Sequence, residues 1–276
     1  MSGDDQGRVF IVAGSDSGGG AGIQADIKTV TALGGFAATA ITAITVQDTL
    51  GVHAIHEVPL DIVRDQIRVV LDDIGADAVK TGMLHSAEVI EMVAEEIGLR
   101  APGAALVVDP VMIAKGGAAL LQADAVVALK RALIPLATLI TPNAPEASAL
   151  TGRRIETLED QKAAADALIG LGCEAVLVKG GHIPGETIFD VLAMEDTIEV
   201  MSSPRIETPN THGTGCTLAS AISAFLAQGA ELREAVEAAR DYVHMAILTA
   251  PGFGKGHGPL NHAWTVQSLD EDEYEQ

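Results

Sequence analysis

The chain has 276 residues, of which 48% are hydrophobic, 20% charged and 3% aromatic, a composition that excludes a disordered or fibrous protein. Its net charge of −21, from 38 acidic and 17 basic residues, argues against nucleic-acid binding, which depends on lysine and arginine at phosphates. Two cysteines without paired spacing exclude a disulfide framework and a zinc cluster.

The N-terminus lacks the basic-then-apolar order of a signal peptide, and no apolar run approaches the ~20 residues that span a bilayer. We therefore expect a cytoplasmic protein with no membrane partner. The acidic surface also fits a halophilic source, a hypothesis that composition leaves open.

Short apolar runs alternate with helical spacing along the chain. The predicted strands are Arg8–Val12, Ala38–Val46, Ala76–Lys80, Ala105–Val108, Thr138–Ile140, Ala175–Lys179 and a hairpin of Thr187–Met194 with Thr197–Met201. The predicted helices are Gly22–Leu33, Leu60–Leu71, Ala87–Ile97, Asp124–Leu133, Glu159–Leu171, Cys216–Ala227 and Leu232–Leu248. The alternation predicts a three-layer α/β/α fold, with a mainly parallel central sheet and helices on both faces. We expect one domain over residues 1–276, with an acidic tail from about residue 267 to residue 276.

Glycine and polar residues follow each predicted parallel strand, where such sheets bind ligands. They are Gly14, Gly82, Asp109, Asn143 and Gly180. The first belongs to a glycine-rich stretch, residues 14–22, that matches neither the Walker A spacing nor the dinucleotide fingerprint. By itself that stretch is compatible with a flexible turn as well as with a ligand loop.

The segment Asn210-Thr-His-Gly-Thr-Gly-Cys216 stands directly before an apolar helix. Amides at a helix N-terminus bind anions, and glycines let them close around one. The same position predicts a lowered pKa for the Cys216 thiol, which would suit a base or a nucleophile. The alternative is a buried, unreactive cysteine, which is our interpretation of Cys173.

Two further strand ends carry charged or amide groups. Asn143 and Glu146 in Thr141-Pro-Asn-Ala-Pro-Glu146 could hold hydrated Mg²⁺ together with Asp109, or could form a helix cap, and both interpretations are compatible. Lys179, before Gly180-Gly181, could bind a phosphate or stay solvated. The eight histidines form no metal-binding pattern.

Taken together, these segments resemble those of the bacterial and archaeal hydroxymethylpyrimidine/phosphomethylpyrimidine kinases, ribokinase-like enzymes of thiamine biosynthesis. The resemblance runs in order from about residue 8 to residue 264. It is carried by Ala13–Asp26, Ala43–Thr49, Val79–Met83, Val108–Met112, Thr141–Asn143 with Glu146, Val178–His182, Asn210–Cys216 and Gly256–His262.

The resemblance implies a reaction and a site. ATP would phosphorylate 4-amino-5-hydroxymethyl-2-methylpyrimidine to its monophosphate and then to the diphosphate, with Mg²⁺ near Asp109 and Glu146. The implied pyrimidine contacts are Gly14, Asp26, Gln47, Met83 and Val111, and the nucleotide contacts are Lys179, Asn143 and His212. The amides of Gly213, Thr214 and Gly215 would form an anion hole, and Cys216 would be the base for the hydroxymethyl proton. We also expect a homodimer.

Two other functions remain open at this point. Related folds accept pyridoxal or pyridoxine, although Gln47 and Asp26 favour an aminopyrimidine. A non-catalytic pyrimidine sensor is the alternative from another class, but Cys216, Lys179 and the pair Gly213 and Gly215 are all present.

Overall fold

The structure is a computed structural model that describes residues 6–112 and 124–266, so the predicted acidic tail lies outside the described residues. These residues form nine strands: β1 Arg8–Asp16, β2 Phe36–Gln47, β3 Val52–Glu57, β4 Ala78–Thr81, β5 Ala105–Val108, β6 Leu139–Ile140, β7 Ala175–Val178, β8 Thr187–Met194 and β9 Thr197–Pro204. They also form eight α-helices: α1 Gly22–Ala32, α2 Leu60–Asp73, α3 Ala87–Arg100, α4 Ala125–Ala128, α5 Ala144–Thr151, α6 Leu158–Ile169, α7 Thr214–Ala227 and α8 Leu232–Leu248.

All nine strands belong to one sheet in the order β3-β2-β1-β4-β5-β6-β7-β8-β9. Six adjacent strands run parallel to one another, in the order β2, β1, β4, β5, β6 and β7. The strand β3 on one edge and the β8–β9 hairpin on the other are antiparallel. Because the parallel strands point the same way, their carboxyl ends meet along one edge of the sheet and can form a single site.

Apolar side chains leave the central strands alternately toward the two faces, as the two-residue period of a strand requires. In β1, Phe10 and Val12 pack with the helices α2 to α6, whereas Val9, Ile11 and Ala13 pack beneath α1 and α7. The helices α7 and α8 cover the same second face farther along the sheet. The predicted α/β fold with helices on both faces is confirmed.

Three elements differ from the prediction: one strand was missed, one helix was misjudged, and α5 was predicted only as a possible helix cap at Asn143. The edge strand β3 was not predicted, because every residue from His53 to Glu57 is exposed and no apolar alternation marks it. The helix predicted over Asp124–Leu133 consists of α4, a π-helical turn Leu129–Leu133 and a 3₁₀ turn Ile134–Leu136. Pro135, which has no N–H to donate, lies in that last turn and helps to end the helix.

Candidate active site

A cavity of about 1110 Å³ lies at the carboxyl ends of the parallel strands. It is lined by every site residue predicted from the sequence except Asp26. These are Gly14, Gln47, Met83, Asp109, Val111, Asn143, Glu146, Lys179, His212, Gly213, Thr214, Gly215 and Cys216. The topology therefore brings together residues from seven separate segments of the chain.

One end of the cavity, which we call the ring end, is built on β1 and β2. Gln47, the last residue of β2, has its backbone N–H and carbonyl each 2.8 Å from the Ser17 hydroxyl, which ties β2 to the turn after β1. Its side-chain amide lies between Thr45, at 3.1 Å, and His212, at 3.3 Å. The structure thus places His212 beside Gln47 at the ring end, rather than with the nucleotide contacts predicted for it.

Asp16 joins the turn after β1 to the loop before α7. Its carboxylate accepts hydrogen bonds from the backbone N–H groups of Gly18, at 2.8 Å, and Ala21, at 2.8 Å. The same carboxylate lies 2.8 Å from His212 Nε2. Burial acts to raise the pKa of Asp16, but the hydrogen bonds from His212 and the backbone lower it further, so the pKa lies below its ordinary value.

The loop before α7 approaches that turn more closely than any side chain would allow. Gly213 has a φ of +84°, and a Cβ built on it would lie 1.7 Å from the Gly20 carbonyl oxygen. Only glycine fits there, both for its backbone conformation and for the contact. Gly213 caps α7, and the first amides of that helix have no partner within it, so they could bind an anion, as the sequence analysis predicts.

A second part of the cavity, which we call the phosphate end, carries Lys179 and Asp109. Lys179 Nζ lies 3.0 Å from Asp109 Oδ1, and the Thr141 hydroxyl donates to the same oxygen at 3.2 Å. Burial acts to lower the pKa of Lys179, but Asp109 and Glu146 raise it above its ordinary value, so the ammonium stays charged. Lys179 is 13% exposed, so it does not stay solvated, as the alternative interpretation had it.

Asn143 and Glu146 form the helix cap that the sequence allowed as one of two interpretations. Asn143 Oδ1 accepts from the Glu146 N–H at 2.9 Å, and Glu146 Oε2 accepts from the Asn143 N–H at 2.8 Å. This capping box begins α5. Burial, followed by repulsion from Asp109, raises the pKa of Glu146, although Lys179 opposes the shift. A cation near the two carboxylates would relieve that repulsion.

Cys216 lies in the first turn of α7, but its predicted pKa shift is wrong in direction. Burial raises the pKa of the thiol to about 11, and Asp26 and Asp109 add to the rise, although the Lys80 ammonium and the Gly22 N–H lower it. The sequence reveals the helix N-terminus but not the burial around the thiol, which here is the larger effect. Cys173 is also a free, buried cysteine, with a pKa raised to about 11 by burial.

Asp26 lies below the cavity instead of facing it, so the structure does not support the predicted ring contact. It is fully buried in α1, and both of its carboxylate oxygens are 2.9 Å from Lys80 Nζ. The Ser220 hydroxyl of α7 donates to Asp26 Oδ1 at 2.6 Å. Burial acts to lower the pKa of Lys80, but Asp26 and the other neighbouring anionic groups raise it, which keeps a buried cation beneath the anion site.

Lys80 and His262 are functional candidates that the sequence prediction missed. Lys80 is wholly buried and lines the cavity, and its only sequence signal is a lysine within the apolar strand β4. His262 Nε2 lies 3.0 Å from the Thr217 hydroxyl, one residue after Cys216. The Tyr242 hydroxyl donates to the His262 carbonyl. Burial lowers the pKa of His262 to about 4, so the ring is neutral at neutral pH.

The described ranges contain no cluster of three or more His, Cys, Asp or Glu side chains that could hold a metal ion unaided. Within those ranges, no helix is both long enough and apolar enough to cross a membrane. Any metal at the phosphate end would therefore need ligands from water or a bound nucleotide in addition to Asp109 and Glu146.

Comparison with known proteins identifies the family to which the chain is related. A family described as phosphomethylpyrimidine kinase matches residues 16–261. The hydroxymethylpyrimidine/phosphomethylpyrimidine kinase of Bacillus subtilis is 48% identical over 259 residues, which are 92% of this chain and 94% of that protein. The thiamine biosynthesis bifunctional protein ThiED of Geobacter sulfurreducens is 52% identical over 264 residues, which are 96% of this chain; the chain spans about half of that relative, 54%.

A solved structure extends the likeness to three dimensions. Bacillus subtilis pyridoxal kinase, crystallised as an ADP complex, is 40% identical to this chain with a TM-score of 0.88. The match covers 94% of this chain and 98% of that one. From the matched family, the relatives and the shared architecture, we conclude that the chain belongs to the phosphomethylpyrimidine kinase family, a family of phosphotransferases with the ribokinase-like α/β fold.

Proposed function

We propose that this protein is a single-domain kinase that uses ATP to phosphorylate 4-amino-5-hydroxymethyl-2-methylpyrimidine, first to the monophosphate and then to the diphosphate. This activity would belong to the cytoplasmic synthesis of thiamine diphosphate. The observation that carries the proposal is the cavity itself, which is lined both by the Gln47 amide and by the α7 N-terminus and Lys179. A heterocycle and a phosphoryl group can therefore occupy one site together.

The ring end supports a small planar heterocycle. The Gln47 amide offers one donor and one acceptor, which match the ring nitrogen and amino group of an aminopyrimidine. Met83 and Gly14 line the same end, and the Met83 sulfur would lie 3.2 Å from a Cβ placed on Gly14. Methionine is well suited to pack on an aromatic face, and glycine leaves room for the ring. Val111 supplies further apolar surface.

The phosphate end supports phosphoryl transfer by positioning and neutralisation of charge, which is how proteins catalyse this reaction in general. The amides of Gly213, Thr214 and Gly215 would hold oxygens of the transferring group, and Lys179 would neutralise its charge. Beyond Lys179 the cavity continues along α8, where Val243 and Ile247 offer an apolar slot for the base of ATP. Asn143, the residue that caps α5, also lines the cavity and is paired with Lys179 in an isolated β-bridge.

The carboxylates of Asp109 and Glu146 fit Mg²⁺ bound mostly through water. Two carboxylates suffice for that ion, which keeps several waters and takes its remaining ligands from substrate phosphates. Burial raises the pKa of Glu146, and repulsion from Asp109 adds to the rise, although Lys179 opposes it. Bound there, Mg²⁺ would neutralise charge on the phosphates of ATP.

Cys216 remains our candidate for the base, but its chemistry differs from the sequence expectation. With a pKa of about 11, the thiol is protonated at neutral pH in the free protein. Lys80 beneath it lowers the cost of forming a thiolate. Loss of the thiol proton would therefore have to accompany substrate binding, and would not precede it.

Product analysis by mass spectrometry tests the proposed function directly. The protein is incubated with the pyrimidine alcohol, ATP and Mg²⁺, and parallel reactions omit ATP or replace the alcohol with pyridoxal. We expect both the monophosphate and the diphosphate of the pyrimidine to form, and only with ATP. Absence of any phosphorylated pyrimidine would contradict the proposal, and binding of the alcohol without ATP consumption would favour a sensor.

Pyridoxal phosphorylation is the second candidate, and one observation favours it. The Bacillus subtilis structure, so similar to this chain, is that of a pyridoxal kinase. The pyridoxal reaction above decides whether this chain shares that activity. Competition between the two alcohols in one assay would establish which is preferred.

We also propose that the protein is a homodimer joined through the outer face of β2 and β3. On that face Ile44 is 49% exposed and Val46 is 57% exposed, and adjacent exposed apolar residues of this kind favour a protein partner. Light scattering after size exclusion should give a dimer for the wild type and a monomer for Val46→Lys. A wild-type monomer would contradict this part of the proposal.

A further inference from the structure

The side-chain amide of Gln47 is held between two partners at the ring end. Its Oε1 lies 3.1 Å from Thr45 Oγ1, and its Nε2 lies 3.3 Å from His212 Nε2. The two ends of a carboxamide have the same shape, so a half-turn of the amide exchanges them without moving any neighbour. The hydrogen-bond pattern of the neighbours therefore decides which end faces which partner.

His212 can only donate at this position. Its Nε2 lies 2.8 Å from Asp16 Oδ2, and an ionised carboxylate offers lone pairs but no hydrogen. Asp16 is ionised at neutral pH, because hydrogen bonds from His212 and the backbone lower its pKa despite burial. The single hydrogen on Nε2 of His212 is therefore donated to Asp16, and Nε2 has no lone pair left that could accept from an N–H of Gln47.

Thr45 can only accept from Gln47. Its hydroxyl lies 2.9 Å from the Ser15 carbonyl oxygen, which has no hydrogen to give, so the single hydroxyl hydrogen is used there. What Thr45 Oγ1 offers to Gln47 is a lone pair. Only one amide orientation makes a hydrogen bond: the NH₂ group donates to Thr45, and the carbonyl oxygen, which needs no lone pair from its neighbour, faces His212.

We propose that His212 and Thr45 are positioning residues that lock the Gln47 amide in this orientation and so decide which way round the substrate ring binds. This inference rests on the proposed function for the identity of the ring. The locked amide presents an acceptor on the His212 side and a donor on the Thr45 side. A substrate edge must offer the complementary order to bind without leaving a group unpaired.

The pyrimidine substrate has that order, and the order places its reacting group. Its amino group on C4 donates and its ring nitrogen N3 accepts, while the hydroxymethyl group is on C5, on the far side of C4 from N3. An amino group bound to Gln47 Oε1 therefore puts the hydroxymethyl group on the His212 side. His212 is followed at once by Gly213, Thr214 and Gly215, whose amides form the anion site. The reversed amide would direct the hydroxymethyl group away from that site.

The lock is in place before any ligand binds. The backbone of Gln47 is pinned to the Ser17 hydroxyl from both its N–H and its carbonyl. The backbone N–H of His212 donates to the Gly258 carbonyl oxygen at 3.1 Å, which fixes the other partner. Groups held in this way lose little freedom on binding, so the orientation can discriminate between ligands.

A pair of substrates that differ only in the order of their hydrogen-bonding groups tests the lock. The 4-oxo analogue, 5-hydroxymethyl-2-methylpyrimidin-4-one, has a carbonyl acceptor on C4 and an N3–H donor, the reverse of the amino compound. A ring turned over to satisfy the locked amide would carry its hydroxymethyl group away from the anion site. The ratio of kcat/KM for the amino and oxo compounds therefore reports the amide orientation and cancels general damage to the enzyme.

We expect the wild type to prefer the amino compound by about 100-fold, as one mispaired buried edge implies. His212→Phe and Thr45→Val each free the amide to turn, so the preference should fall about tenfold or more in both. His212→Gln keeps a donor near the position of Nε2, and Thr45→Ser keeps the hydroxyl, so both should retain the preference. A preference that is unchanged in His212→Phe and Thr45→Val overturns the inference.

The orientation can also be read without any substrate, by NMR of the ligand-free wild type. The side-chain NH₂ protons of Gln47 should give nuclear Overhauser effects to Thr45 and none to the ring protons of His212. The opposite result overturns the inference, whatever the protein phosphorylates. The expected result in a protein that leaves the pyrimidine alcohol untouched upholds the locked amide and overturns the proposed function alone.

Discussion

The two ends of the cavity differ in the chemistry of the side chains that line them. The ring end uses a neutral amide, a hydroxyl and a thioether, from Gln47, Thr45 and Met83. The phosphate end concentrates buried charges, among them Lys179 and Asp109, which lie 3.0 Å apart. A neutral heterocycle is distinguished by the order of its donors and acceptors, whereas a phosphoryl group is bound by charge.

The difference also affects the stability of each end when no ligand is bound. At the phosphate end the cations are paired: Lys179 with Asp109, and Lys80 with Asp26. Removing one partner of such a pair leaves an unpaired buried charge, at a typical cost of about 3–5 kcal/mol. The ring end has one buried carboxylate, that of Asp16, which is hydrogen-bonded to His212; its other polar groups are a neutral amide and a hydroxyl that stay hydrogen-bonded to each other. Substitutions should therefore affect rate and stability at the phosphate end, and mainly ring affinity at the ring end.

The largest expected effect is that of Cys216→Ala on the first phosphorylation. The pyrimidine alcohol is a poor nucleophile until a base takes its proton, and such a base typically contributes about 10²–10⁴-fold. The acceptor of the second step is a phosphate that is already ionised, so that step should slow far less. The two rates are measured separately with the alcohol and with the monophosphate as substrates.

Cys173→Ala is the matched control, because Cys173 is a buried free cysteine with a similarly raised pKa but does not line the cavity. It should leave both rates near those of the wild type. Equal slowing of the two steps in Cys216→Ala would assign Cys216 to the geometry of the anion site and not to proton removal.

The next largest effect concerns acid stability behind the phosphate end. The pKa of His262 is about 4 in the folded protein and near 6.5 when unfolded, so between these values only the unfolded state binds the proton. The stabilisation from a neutral His262 is therefore complete above pH 6.5 and is lost as the pH falls toward 4. The loss over that window should be about 2–4 kcal/mol.

Urea unfolding at pH 7 and at pH 4.5 checks this, with His262→Gln as the comparison. The substitution removes the titrating ring and leaves the other acidic groups in place. The free energy of unfolding should fall by about 2–3 kcal/mol more in the wild type than in the variant. Identical pH dependence in the two proteins would mean that His262 does not remain neutral in the folded state.

Gln47→Leu tests the ring end and should produce a smaller effect. The substitution keeps the volume nearly constant but removes both hydrogen bonds to the ring edge, a loss of about 1–3 kcal/mol of binding. The KM for the pyrimidine alcohol should therefore rise while the KM for ATP barely changes. An unchanged KM for the alcohol would remove Gln47 from the site, and a raised KM for ATP would contradict the separation of the two ends.

Salt should have the smallest effect on the ring end. A series of salt concentrations distinguishes the effects of surface charge from those of buried charge. If the net charge of −21 is a halophilic adaptation, screening should raise the melting temperature steeply from dilute to molar KCl. The KM for the neutral pyrimidine alcohol should stay constant over the range of KCl concentrations in which the protein stays folded. A melting temperature that does not change with KCl concentration would mean that the acidic composition is not a halophilic adaptation.

Local signals made the fold and the outline of the cavity predictable. Strand-helix alternation required a parallel sheet, and the polar residues after each strand had to meet at one edge of it. The spacing of Asn143 and Glu146 was enough to predict a capping box. These features depend on residues a few positions apart, which a single sequence displays.

What the sequence could not reveal depends on contacts between distant segments. The pKa of Cys216 follows from burial among several elements, which outweighs the helix N-terminus that is visible locally. Asp26 pairs with Lys80, 54 residues away, and so points inward and not at the ring. The contact between Thr217 and His262 spans 45 residues. Neither Thr217 nor His262 lies in a local sequence pattern that indicates the contact between them.

The close approach of Gly213 to Gly20 has a consequence for the order of folding. The turn after β1 leaves the ribosome early, but the segment that completes it is made nearly 200 residues later. Contacts of such long sequence separation form late, because a large loop must close before they can be made. The nascent chain thus has no working catalytic centre until α7 docks. An N-terminal fragment that ends before α7 should neither bind nor consume ATP.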